Sequence, residues 1–64
     1  MKRVIYWHPL GLVPENKDKI MKRFGLHGIS INGETEADAV KPEDIPILEE
    51  TERRGFFTIR MKPD

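Results

Sequence analysis

Two histidines, His8 and His27, are the side chains of this 64-residue chain that ordinarily change charge near neutral pH. If Asn32-Gly33 turns a hairpin, His27 falls opposite Asp38, and a carboxylate beside an imidazole orients it as a base. No serine or third group sits at a spacing that would complete a nucleophilic triad, and cysteine is absent. The expectation is therefore a non-enzymatic protein with no catalytic residue. No His-x-x-x-His or clustered-acid pattern marks a metal site. Gly25, Gly28 and Gly33 do not fit a dinucleotide or phosphate loop; they read as a helix stop, a strand position and a turn. No metal and no cofactor are expected.

Eleven basic and eleven acidic residues cancel, which weighs against a dedicated nucleic-acid or anionic-membrane binder. The distribution is less even. Residues 1–33 hold six Lys or Arg against two acids, and residues 34–64 hold five against nine. The resulting dipole would favour antiparallel pairing of two copies. Lys17, Lys19, Lys22 and Arg23 gather in the first half, and a nucleic-acid surface there is the alternative functional reading. No run approaches the roughly 20 apolar residues of a membrane span. Lys2 and Arg3 are not followed by the apolar run of a signal peptide. With no cysteine, the expected location is the cytoplasm.

The elements that would hold these groups follow from periodicity. Lys2 to Trp7 is rich in β-branched and aromatic residues and predicts a strand. Val4 and Tyr6 face one side, Ile5 and Trp7 the other, so both faces are apolar, as in a covered central strand. His8 to Val13 reads as a loop with Leu10 and Leu12 tucked inward. Pro14 suits the first position of a helix ending at Phe24, with Gly25 as its stop. Leu26 to Ile31 alternates, Asn32-Gly33 predicts a type I′ turn, and Glu34 to Val40 is a returning arm suited to a sheet edge.

Asp44 is a sensible N-cap for a second helix whose start is confined by Pro46. Its Glu49–Arg53 and Glu50–Arg54 pairs match the Glu15–Lys19 and Asp18–Lys22 pairs of the first helix. Gly55 ends it. Phe57, Ile59 and Met61 then alternate against Phe56, Thr58 and Arg60 in a last strand.

The fold expected over residues 1–64 is one small α+β domain. It is a β-α-β-β-α-β sandwich with a three- or four-stranded mixed sheet and two helices on one face. That order resembles ferredoxin-like domains in topology. It also resembles RNA-recognition domains, whose stacking aromatics lie on the first and third strands. Here the third segment is the acidic Glu34 to Asp38, and no RNP1-type run occurs.

A chain this short buries only about 60% of its unfolded surface and is marginally stable alone, so association is a common remedy. The expected function is a protein–protein interaction module that self-associates through its open sheet face or an edge strand. Tyr6, Trp7, Ile5, Phe56 and Thr58 are the candidate interface. The expected partner is a second copy or another protein, as a homodimer in the first case.

Overall fold

The computed structural model describes residues 1–28 and 32–63. Three strands make one antiparallel sheet: β1 (Lys2–Trp7), β2 (Glu34–Glu36) and β3 (Phe57–Lys62), in the order β2-β1-β3. Between β1 and β2 come two consecutive helices, α1 (Pro9–Leu12) and α2 (Pro14–Phe24). A 3-10 turn (Pro42–Asp44) and α3 (Ile45–Arg53) lead to β3. The result is an α+β fold, and both ladders are antiparallel where a mixed sheet was expected.

β1 is the central strand because both of its backbone edges are used. The Trp7 N–H donates toward β2, to the Gly33 carbonyl at 3.1 Å, whereas the His8 N–H donates toward β3, to the Phe56 carbonyl at 3.1 Å. Pairing runs from Lys2 opposite Lys62 to Trp7 opposite Phe57, and from Val4 opposite Glu36 to Tyr6 opposite Glu34. β2 ends where a side chain replaces the ladder. The Ala37 N–H still reaches the Arg3 carbonyl, but the Arg3 N–H donates to Asp38 Oδ1 at 2.7 Å. The chain then turns, and Ala37 and Val40 join the core. The returning arm is thus a three-residue edge strand and not a strand to Val40. The first arm of the expected hairpin is not found over residues 26–28, which are irregular. Its remainder, 29–31, with the pairings drawn for it, lies outside the described residues.

The core gathers Ile5 and Trp7 from β1, Ile20 and Phe24 from α2, Leu48 from α3 and Phe57 from β3, with Leu26, Ala37 and Val40. Trp7 meets Phe57 edge to face, with ring centroids 5.8 Å apart and planes at 80°, a favoured aromatic geometry. Its indole N–H donates to Thr35 Oγ1 at 2.8 Å, and the Thr35 hydroxyl donates on to the Gly28 carbonyl at 2.8 Å. Thr35 is only 2% exposed, so this relay satisfies groups that water does not reach.

The helix boundaries follow their caps. α2 starts at Pro14 and ends at Gly25 (φ +66), whose N–H bonds the Met21 carbonyl. Val13 is extended (φ −57, ψ 126), as a residue before proline prefers, and this separates α1 from α2. The expected Asp18–Lys22 and Glu50–Arg54 pairs close to 3.1 and 3.7 Å. Asp44 makes no cap hydrogen bond; its carboxylate pairs with Arg23 at 3.2 Å and so ties α2 to the start of α3.

Gly11 is the tightest point of the fold. A Cβ there would sit 2.1 Å from the Phe56 carbonyl oxygen and 2.9 Å from Trp7 Cε3. Helix propensity alone would make Gly11→Ala stabilising by about 0.5–1 kcal/mol. The packing clash reverses the sign, and we expect a loss of about 2–3 kcal/mol, read as a lowered Tm in thermal unfolding. A rise in Tm would refute the close approach.

Thr35→Val keeps the β-branched shape but leaves the Trp7 N–H and the Gly28 carbonyl without that hydroxyl. Chemical denaturation should show a loss of about 1–3 kcal/mol. Thr35→Ser, which keeps the hydroxyl, should lose markedly less; equal losses would show that the relay carries no energy.

Candidate functional site

The five residues expected at an interface do not form one surface. Ile5 and Trp7 lie in the core, and Phe56 packs against the same cluster while its carbonyl holds the His8 N–H. Their burial is a consequence of which side of β1 carries the indole, whose N–H needs the Thr35 hydroxyl. Tyr6 and Thr58 remain on the opposite side of the sheet, opposite one another across β1 and β3.

That opposite side is polar and largely tied down. Lys2 Nζ pairs with Glu36 at 2.8 Å, and Lys62 Nζ reaches the Glu34 carboxylate at 2.5 and 2.7 Å. Lys2, Glu34, Glu36, Lys62 and Pro63 surround Val4, which is buried although it is not part of the core cluster. The Arg60 guanidinium lies 5.8 Å from the Tyr6 ring centroid, within reach of a cation–π contact. His8 Nε2 and Thr58 Oγ1 share a hydrogen bond of 2.6 Å. This is a surface of satisfied polar groups and not an exposed apolar patch.

His27 and Asp38 line one shallow depression with Gly25, Glu36 and Ala39. Both are exposed, and the Asp38 carboxylate accepts the Arg3 N–H. Among the described residues no hydrogen bond joins His27 to Asp38, so the imidazole is not oriented as a base would be. No group of three or more potential metal ligands is present among the described residues. No helix among them is long and apolar enough to cross a membrane.

The four cations of α2 differ in their surroundings. Lys22 pairs with Asp18, and Arg23 pairs with Asp44 while lying 5.3 Å from the Phe24 ring centroid. Lys17 is partly buried, and Lys19 is exposed. Two of the four positive charges are thus already matched by neighbouring carboxylates.

Of the large apolar side chains left exposed among the described residues, Met1, Tyr6, Ile47 and Met61 lie elsewhere, and three lie at the corner between α1 and α2. Leu10, Leu12 and Val13 are 47%, 45% and 44% exposed, which corrects the expectation that the leucines tuck inward. The cause is Gly11. It faces the Phe56 carbonyl and the indole, and on a helix its neighbours point about 100° to either side of it. Leu12, Pro14 and Met21 line a depression of about 360 Å³, with Lys17 and Asp18 also in its lining. Asn16 Nδ2 donates to the Leu10 carbonyl at 3.0 Å and braces the corner.

Sequence reasoning missed this site because a Pro-x-Gly segment was read as a loop. The available signal was the pair Pro9 and Pro14, each at the first position of a helix. Comparison with protein-family models, with curated proteins and with solved structures finds no match to this chain.

Proposed function

We propose that this chain is a non-enzymatic, cytoplasmic interaction module that pairs with a second copy of itself through the α1–α2 corner. The observation that carries the proposal is the depression lined by Leu12, Pro14 and Met21, with Leu12 and the adjoining Val13 exposed at it. An exposed apolar depression on a small protein commonly marks an association surface.

A second copy suits the charges around the depression. A two-fold interface brings one patch against itself, so it must be self-complementary. Lys17 and Asp18 are adjacent there, and a two-fold axis running between them sets the cation of each copy toward the anion of the other. The Asp18–Lys22 pair is exposed at both ends and worth only about 0–1 kcal/mol, so Asp18 can exchange partners at little cost. The opposite side of the sheet offers less, because its lysines and glutamates pair within the chain and cover Val4.

Sedimentation equilibrium tests this. The wild-type chain is expected to run at twice the monomer mass at high micromolar concentration. Leu12→Glu is expected to weaken association at least about tenfold, since a carboxylate would have to be desolvated in the contact. A folded wild-type chain at monomer mass under those conditions contradicts the proposal. A monomer that instead binds oligonucleotides at low salt, and loses that binding in Lys19→Glu and Lys22→Glu, would favour the nucleic-acid reading of α2.

A further inference from the structure

β3 is an edge strand, and one of its outward donors is occupied by a side chain. The hydrogen bonds of Trp7 and His8 fix the alternation along β1: odd residues bond toward β2 and even residues toward β3. By the antiparallel register, the even residues of β3 bond to β1, and Phe57, Ile59 and Met61 direct their N–H and C=O groups outward. At the middle of that edge, Glu52 Oε2 accepts the Ile59 N–H at 2.6 Å. Glu52 stands in the last turn of α3, and its own carbonyl accepts the Gly55 N–H at 2.9 Å. The carboxylate is therefore held beside the edge by the turn that starts β3. A short bond of this kind, from an amide to an ionised group, is stronger than a neutral one.

We infer that the outer edge of β3 is a strand-pairing surface for β3 of a second copy, held closed by Glu52. The occupant follows from the sequence of the edge itself. An antiparallel pair with Ile59 opposite Ile59 sets Phe57 opposite Met61 and Thr58 opposite Arg60, with no like charges facing. Moving the axis to Arg60 sets two arginines opposite each other, and moving it to Met61 sets Arg60 opposite Lys62. Like charges directly opposite destabilise a sheet pair. Moving the axis to Thr58 faces no like charges but pairs only Phe57 to Ile59, so the longest register free of facing like charges centres on Ile59, and its two central hydrogen bonds need the N–H that Glu52 holds in each copy. A single carboxylate per chain removes both of them. Unpaired edges commonly carry charge that deters such pairing; here the charge is bonded to the donor itself.

The test is made in the Leu12→Glu background, at a concentration where that protein alone is monomeric, which keeps this inference separate from the proposed function. Glu52→Ala should shift sedimentation from monomer to dimer at high micromolar concentration. Glu52→Gln, whose amide oxygen still accepts the Ile59 N–H, should stay monomeric. Adding Met61→Pro to Glu52→Ala should restore the monomer, because proline is tolerated at an edge but cannot donate to an added strand.

A folded Glu52→Ala protein that stays monomeric would overturn the inference, as would a dimer indifferent to Met61→Pro. If Glu52→Ala does not fold, amide exchange in the Leu12→Glu protein decides. Ile59 should exchange about tenfold or more slowly than Met61, the other outward amide in the exposed half of the strand. Equal rates would mean that Glu52 does not hold the edge.

Discussion

The indole N–H of Trp7 has to find an acceptor inside the core, and the arrangement around β1 follows from that requirement. The ring is buried and set edge-on to Phe57, and its nitrogen is out of reach of water. Thr35 is the acceptor, and its hydroxyl passes the bond on to the Gly28 carbonyl. The relay places the short strand β2 beside β1, although β2 has only three residues and two of them are glutamates. It also decides which face of β1 is core, because once Trp7 points inward Ile5 must follow and Val4 and Tyr6 must face away.

Two consequences divide the surface. On the Tyr6 side, the glutamates of β2 meet the lysines at the ends of β1 and β3, and together they enclose Val4. The exposed Lys2–Glu36 pair adds little stability, about 0–1 kcal/mol, but together the two pairs keep Val4 covered. At the other boundary of the core, the indole and the Phe56 carbonyl press so close to α1 that only glycine fits at position 11. The leucines beside it are turned out and stand exposed at the α1–α2 corner. The same core that hides the aromatic residues thereby creates the exposed leucines.

Much of the element pattern was legible in the sequence. Pro14 and Gly25 mark both ends of α2, Gly55 marks the turn after α3, and the alternation of β1 and β3 is plain. What was not legible was the choice between two apolar faces of β1. Local periodicity is the same for either choice; the difference lies in Thr35, 28 residues away in sequence. The α1 helix was read as a loop because glycine and proline usually punctuate structure, whereas here glycine is selected by a close approach. Asp44 looked like a cap by its type, yet its carboxylate is drawn to Arg23. Glu52 had no local signal, since its role depends on the strand that follows it lying at an edge.

The central claim is that association uses the α1–α2 corner and leaves the Tyr6 side of the sheet uncovered. The most direct measurement is a dilution series of backbone amide spectra on the wild-type chain. Amides from Leu10 to Met21 should shift together with concentration along one binding curve, while those of Tyr6, Thr58 and Arg60 stay fixed. Shifts centred on Tyr6, Thr58 and Arg60, or none at any concentration, would contradict the account.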